Sequence, residues 1–327
     1  MSQTPAVSIG IMTRNYAQYV SQAIESVLAQ ERTDWELVIS DDASTDDTPD
    51  VVAPYLRDPR IRYVRHTQNL GQANNWRFLL AQGTAPVVSV LHADDYWLPD
   101  ALETALTAFE ADPELDLLYG NWQRMVGDTL EPQPYKAEAD HRMTGQEEFR
   151  YQVTHHTWLP SATFLSRRVV KATGEPNPEL KMLVDTEYFL RAALRARVVR
   201  ALAQPLMVYR VHPANATADG NANGLLTAEK EQMPEILQAI LEDYPALQDC
   251  VRIMRRHNAL LIFSEGVGWA TNSHLSMGRT LMKRALRLYP GLLASAPKLL
   301  PDYLLSGFGA ASIPIYRRLH KGRLGAI

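Results

Sequence analysis

Two short apolar stretches of this chain each run directly into a cluster of carboxylates. Leu37-Val38-Ile39-Ser40 leads into Asp41-Asp42-Ala43-Ser44-Thr45-Asp46-Asp47-Thr48, and Val87-Val88-Ser89-Val90-Leu91 leads through His92-Ala93 into Asp94-Asp95. Ligands of open α/β sheets collect at the carboxyl ends of the strands. Two strands that both end in paired aspartates therefore point to one shared acidic site. Carboxylates crowded together repel one another unless a cation or hydrogen-bond donors offset their charge. A divalent metal carrying a phosphate-bearing substrate meets that need. The plainer reading makes Asp41 and Asp42 turn formers, and Asp46 and Asp47 favourable charges at a helix start.

The elements that must position these residues alternate in type. Val7–Met12 has strand character, and Tyr16–Gln30 carries Val20, Ala23, Ile24, Val27 and Leu28 at helical spacing. Strands are expected over Trp35–Ser40, Arg60–Arg65, Pro86–Leu91 and Leu115–Asn121. Helices are expected over Gln72–Gln82, stopped by Gly83, and from Pro99 to Glu110. Thr48 reads as the cap of a helix whose first residue is Pro49, with Pro54 kinking it or ending it early. Such alternation means βαβ units and a mainly parallel sheet. The polar, aperiodic stretch Val126–Arg150 reads as a loop or lid with a short helix near Glu147. Ser161–Ser166 and Val198–Tyr209 read as further strands, flanking a helix that opens near Asp185. From Leu225 onward the pattern is helical, with breaks expected at Pro234, Pro245, Pro290, Pro297, Pro301 and Pro314. The polar run Ala218-Asp219-Gly220-Asn221-Ala222-Asn223-Gly224 places a boundary near residue 220. The expected domains are thus 1–220 and a helical 221–327.

The chain has 327 residues, 46% hydrophobic and 21% charged, the composition of an ordinary globular protein. One cysteine, Cys250, allows no intrachain disulfide and fits a reducing compartment. With no signal-peptide pattern and no convincing membrane span, a cytoplasmic location is expected. The formal charge of −4 conceals an asymmetry. Between Gly266 and Ile327 nine Lys/Arg (Arg279, Lys283, Arg284, Arg287, Lys298, Arg317, Arg318, Lys321 and Arg323) face one acid, Asp302. A basic end with interleaved leucines suggests peripheral contact with an anionic membrane face rather than nucleic acid. In this reading Arg279, Lys283, Arg284 and Arg287 share a helix face with Leu281, Met282, Leu286 and Leu288, and Leu292, Leu293, Leu299, Leu300, Leu304 and Leu305 enter the lipid interface. Packing of these leucines on protein, including a second subunit, is the alternative.

Four segments, in order, carry a family resemblance. They are Ser8-Ile9-Gly10-Ile11-Met12-Thr13-Arg14-Asn15-Tyr16, the Asp41–Thr48 run, Asn69-Leu70-Gly71, and Ala93-Asp94-Asp95-Tyr96-Trp97-Leu98-Pro99-Asp100. Together they resemble family 2 glycosyltransferases with the GT-A fold, over about residues 6–215. The resemblance implies a Rossmann-like sheet with a helical C-terminal extension. It also implies inverting transfer of a sugar from a nucleotide-diphosphate donor to a glycan or lipid-linked acceptor, of the bacterial surface-polysaccharide type, with Mg2+ or Mn2+. Carried over by position, Asp42 matches the aspartate that hydrogen-bonds the nucleobase, with Asp41 beside it. Thr13, Asn15, Asn69 and Gly71 fall in the donor-binding segments. Asp94 and Asp95 match the pair that holds the ribose and the metal-bound diphosphate, with Asp95 as the metal ligand. Asp185, in Leu183-Val184-Asp185-Thr186-Glu187, matches the general base. His212, in Tyr209-Arg210-Val211-His212, matches a late histidine near the metal or diphosphate. Two departures stand out: many members have an aspartate where this chain has His92, and often a glutamate where it has Val184.

By residue type alone, Asp185 reads first as an N-cap, His155-His156 as polar surface, and Trp97 and Trp158 as core rather than sugar-stacking residues. A dehydrogenase is disfavoured because no strand is followed by Gly-x-Gly-x-x-Gly. A nucleotidyltransferase would want a glycine-rich basic loop where Thr13-Arg14-Asn15-Tyr16 stands. The rival from another class is a non-catalytic nucleotide- or carbohydrate-binding scaffold with a decayed site, kept open by His92 and Val184.

Overall fold

A computed structural model describes residues 4–131, 139–213, 215 and 223–306. It divides into two compact units, Met1–Ala222 and Asn223–Ile327. In the first, the strands β1 (Val7–Thr13), β2 (Trp35–Asp41) and β4 (Val87–His92) are buried almost throughout. They read as continuous apolar runs because parallel strands are covered by helices on both faces. The sheet order is β3-β2-β1-β4-β9-β6-β10-β5, where β3 is Ile61–Arg65, β5 Tyr96–Trp97, β6 Leu115–Val126, β9 Thr163–Ser166 and β10 Val198–Val211. Pairing of β1 with both β2 and β4 is parallel. Strand β9 runs antiparallel between β4 and β6. The core joins Ile9, Ile11, Leu37, Ile39 and Leu91 to Val20, Ala23, Ile24 and Val27 of helix α1 (Ala17–Leu28).

Two expectations need correction. Thr48 is the first residue of α2 (Thr48–Val52), not its cap, while the α-helix does end early, at Val52, and a 3-10 segment carries the chain through Pro54. The Asp46 carboxylate accepts from the Thr48 and Ala17 backbone N–H groups (3.1 and 3.0 Å), so it serves the starts of two helices at once. The stretch 126–150 is more ordered than its polarity suggests. Strand β6 continues to Val126, turns through Gly127 into β7 (Thr129–Glu131), and β8 (His141–Thr144) pairs with β10. Thr144 and Glu147 then form a reciprocal cap on α5 (Gly145–His155). Residues 132–138 lie outside the described part. Between these elements run α3 (Gln72–Leu80), α4 (Ala101–Ala111), α6 (Arg167–Thr173) and α7 (Val184–Arg195).

The second unit is helical: α8 (Leu225–Ile240), α9 (Asp249–Thr271), α10 (Leu275–Leu288), α11 (Leu292–Ser295) and α12 (Leu300–Leu305). Pro234 was expected to break the first of these, yet α8 runs through it. A proline cannot donate to the carbonyl four residues back. That carbonyl, on Lys230, accepts instead from the Asn258 amide of α9 at 2.8 Å. At the α9–α10 crossing a methyl on Gly266 would lie 2.7 Å from the Gly278 carbonyl, so glycine permits the close approach. Leu281, Met282 and Leu292 are buried in this unit's own core, and Leu286, Leu288, Leu293, Leu299 and Leu305 pack against it. The expected lipid-facing set is thereby reduced to Leu300 and Leu304, 44% and 56% exposed. Arg284 pairs with Glu231 at 2.8 Å, and Arg279 donates to the Ser306 carbonyl. Pro314, Arg317, Arg318, Lys321 and Arg323 lie outside the described residues, as does most of the boundary stretch near 220. Among the described residues no helix is long and apolar enough to cross a membrane.

Candidate active site

The strand order reverses between β1 and β4, and the carboxyl ends there line up. Thr13 pairs with Asp41, and Met12 with His92. This is the crevice at which open α/β sheets bind ligands.

On the β2 side, the carboxylates face donors. Asp41, fully buried, accepts from the Ser44 backbone N–H at 2.8 Å and from the Tyr63 hydroxyl. Asp42 accepts from the backbone N–H groups of Leu70 (2.5 Å) and Gly71 (3.1 Å). Asn69 Oδ1 accepts from the same Gly71 N–H, at 2.9 Å. Gly71 heads α3 at φ 79°, a conformation that favours glycine. Asn15 (φ 54°) donates its N–H to Ser44 Oγ and accepts from the Thr45 N–H at 2.8 Å. Ala43, at φ 58°, is also left-handed. Non-glycine residues held there are rare and concentrate at functional sites. Thr13 Oγ1 is buried with no hydrogen-bond partner among the described residues.

On the β4 side, carboxylates face each other. Asp95 Oδ2 accepts from Ser161 Oγ at 2.8 Å, and Oδ1 from the Arg210 N–H at 3.2 Å. Burial, and then the neighbouring Asp94 carboxylate, push the Asp95 carboxyl well above its ordinary range. Asp94 Oδ2 accepts from the Asn215 amide at 3.0 Å and lies 3.2 Å from His212 Nε2. Burial, and then Asp94, raise the Tyr16 phenol, which hydrogen-bonds that carboxylate. The Arg210 guanidinium donates to the Asp94 carbonyl and lies over the Tyr19 ring.

Among the described residues, ligand atoms of His92, Asp94 and Asp95 lie within 4.8 Å of one another. Ligands on opposite sides of an ion with bonds of 2.0–2.1 Å stand about 4.2 Å apart. The three side chains therefore fit one dication after small rotations. His212, expected near the metal or diphosphate, lies 3.2 Å from Asp94 Oδ2 and against the rings of Tyr16 and Tyr19.

Asp185 is the second residue of α7, inside the helix rather than at its cap position, which Leu183 takes. Its Oδ1 accepts from the Thr186 N–H at 2.7 Å. Burial raises the Asp185 carboxyl, an effect that Thr186 and the charge of nearby His92 partly offset. Asp185, ninety positions after Asp95, thus lies within electrostatic reach of His92. Helix α7 is seated by Tyr188 and Phe189 against Trp76 of α3, at ring distances of 4.9 and 5.5 Å, while Phe189 also meets Trp158. Trp97 and Trp158 are core residues, 2% and 7% exposed. His155 stacks on Tyr151 at an exposed helix end. A cavity of about 440 Å³ lies around the C-terminal end of α3, lined by Arg77, Arg167, Lys171 and Glu175, with none of the site residues in its wall.

The family model for "Glycosyl transferase family 2" matches residues 8–173, about half of the chain, from β1 through α6. The chain belongs to this family. Chondroitin synthase of Escherichia coli is 36% identical over 121 residues, which cover 36% of this chain and 17% of the synthase. The putative colanic acid biosynthesis glycosyl transferase WcaA of E. coli K12 is 34% identical over 124 residues, 37% of this chain and 44% of WcaA. The chain thus spans less than half the length of either relative. Staphylococcus aureus TarS 1–349, solved in complex with UDP-GlcNAc, superposes with a TM-score of 0.58 at 16% identity, over 85% of this chain and 90% of that one. The architecture is the GT-A fold.

The family motifs do not single out Ser161, which ties Asp95 to the His92 backbone N–H (3.1 Å). It lies in a proline-led turn before β9, and only the β4–β9 pairing reveals it. Asn215, which stands in a sequon-like triplet, is the buried amide on Asp94.

Proposed function

We propose that this family 2 member is an inverting glycosyltransferase, moving a sugar from a nucleotide-diphosphate donor to a hydroxyl of a growing glycan or lipid-linked glycan. The observation that carries the reading is the gathering of His92, Asp94 and Asp95 within 4.8 Å at the strand-order reversal, with Asp185 close enough to feel the charge of His92. The polysaccharide acceptor class rests on the named activities of the chondroitin synthase and colanic acid relatives. The donor class rests on the UDP-GlcNAc complex of TarS.

In this reading Asp42 reads the nucleobase edge while holding the Asn69–Gly71 loop, and Thr13 and Asn15 shape the floor beneath the donor. Asp94 and Asp95 hold the ribose and the diphosphate side, and Asp41 stabilises the turn behind Asp42. A Mg2+ or Mn2+ ion held by this group supplies charge neutralisation at the leaving diphosphate. Asp185 accepts the proton of the acceptor hydroxyl, and its raised affinity for protons suits a base, a role worth roughly 10²–10⁴-fold. The decayed-scaffold reading finds no support in a site that retains its carboxylates and their oriented donors. NMR of the first-formed product tests the proposal: inversion at the anomeric carbon is expected, and retention would contradict a single displacement.

Residues 1–220 carry this chemistry in our proposal, and 221–327 meet an anionic membrane face. Lys283 and Arg287 of α10 make no ion pair among the described residues. Salt-sensitive flotation with anionic vesicles, weakened in a Lys283→Glu/Arg287→Glu variant, is expected. Flotation unaffected by salt and by these changes would favour contact with protein, including a second copy of the chain.

A further inference from the structure

We infer that His92 is a metal ligand that turns this site toward first-row transition ions and away from Mg2+. The inference rests on the proposed metal-assisted reading and concerns a residue in which this chain departs from the all-carboxylate pattern. His92 closes β4, and its carbonyl accepts from the Asp95 N–H at 3.1 Å. The resulting turn gathers ligand atoms of residues 92, 94 and 95 within 4.8 Å. The two carboxylates are oriented by partners of their own, Asn215 on Asp94, and Ser161 and Arg210 on Asp95. Such outer partners fix the geometry of metal ligands.

The chemistry then discriminates. Mg2+ is a hard ion that takes oxygen ligands and gives up water reluctantly. An imidazole nitrogen is a softer donor, and affinity of such mixed sites rises from Mn2+ toward Co2+ and beyond. Exchanging a carboxylate for an imidazole also removes one negative charge, which weakens attraction for every dication. A transition ion regains part of that loss through the nitrogen bond, whereas Mg2+ does not. The competing placement turns the imidazole toward Asp185, whose carboxylate feels its charge.

The test uses the full-length protein with UDP and, separately, GDP, titrated with Mn2+ and followed by electron paramagnetic resonance of free and bound ion. Mg2+ and Co2+ serve as competitors. Co2+ is expected to displace Mn2+ readily, and Mg2+ only at about tenfold or greater excess. Pulsed resonance on bound Mn2+ is expected to show a directly coordinated nitrogen that disappears in His92→Asp and His92→Gln. In His92→Asp the disadvantage of Mg2+ is expected to shrink about tenfold. Absence of nitrogen coupling in the wild-type complex, or unchanged metal preference in His92→Asp, overturns the inference while leaving the glycosyltransferase reading intact. Nitrogen coupling that survives both His92 variants and vanishes in His212→Gln also overturns it, by assigning the ligand to His212. Failure of Mn2+ to bind with either nucleotide would remove the metal from the proposed function itself.

Discussion

Asp41-Asp42 and Asp94-Asp95 are the same dipeptide at the ends of β2 and β4, the two strands that flank β1, and they live in different environments. The first pair is met by hydrogen-bond donors of the chain itself: the N–H groups of Ser44, Leu70 and Gly71, and the Tyr63 hydroxyl. Its charge is largely answered, and it organises loops. The second pair is also met by donors, from Ser161, the Arg210 N–H, Asn215 and Tyr16, but its carboxylates lie close to each other beside His92, and burial and then Asp94 raise the Asp95 carboxyl. In our proposal the cation completes its charge balance. What separates the two pairs is the crowding of three ligand side chains within 4.8 Å, not the number of donors the chain supplies.

The largest effects should come from breaking the second pair and its neighbour across the rim. Asp95→Asn is expected to lower transfer on the order of 10³-fold, since one charge-stabilising contact at a leaving group is worth several kcal/mol. Asp185→Asn should cost roughly 10²–10⁴-fold while leaving donor affinity in place, because an amide accepts no proton. Steady-state transfer assays alongside calorimetric donor titration separate the two. Equal loss of donor affinity in Asp185→Asn would make that residue structural. Changes in the first pair should be smaller and should split. Asp42→Ala is expected to weaken nucleotide binding by about 1.5–3 kcal/mol. Asp41→Asn should lower the unfolding free energy by about 1–3 kcal/mol with little change in nucleotide affinity. If the two variants exchange these phenotypes, the assignment of recognition to Asp42 is wrong.

How much of this was legible in the sequence depends on the range of the interaction involved. Strands β1, β2 and β4 and their acidic ends are local patterns, and the parallel order follows from alternation with helices. The stretch after Val126 was misjudged because its strands are polar on the surface. Their pairing with β6 and β10 is a long-range fact that alternation does not announce. Pro234 misled for the same reason, since the donor that rescues its helix is Asn258, on the next helix. Asp185 is the sharpest case. Residue type alone favoured a cap, and only the long-range seating of Tyr188 and Phe189 on Trp76 fixes the helix that holds it within electrostatic reach of His92. His212 was placed by analogy near the metal or diphosphate, and its contacts with Asp94, Tyr16 and Tyr19 are long-range facts that the sequence does not announce.

A further buried aspartate, met by two cations, extends the comparison. Asp116 accepts from Arg168 and Arg197, and from Ser166 at 2.6 Å. Burial alone would raise it, but the two arginines and Ser166 outweigh that and hold its carboxyl down at about 2. Its folded-state value is depressed, so the stability it contributes is present above the ordinary value of 3.8 and is lost as pH falls toward 2. Urea midpoints measured between these limits should fall with pH, and Asp116→Asn should flatten that slope. An unchanged slope would mean that the arginine pairing does not favour the charged form.

Metal-dependent stabilisation by nucleotide tests the central contrast most directly. Thermal unfolding would be measured with UDP and GDP, each with and without Mn2+, in the wild type, Asp42→Ala and Asp95→Asn. A nucleotide at 100 times its dissociation constant adds about 2.7 kcal/mol of apparent stability, a readily seen shift. The account predicts that Mn2+ enlarges the shift in the wild type. In Asp42→Ala the whole shift should be smaller but still enlarged by Mn2+, and in Asp95→Asn the Mn2+ increment should vanish. A Mn2+ increment that persists in Asp95→Asn and disappears in Asp42→Ala would contradict the account.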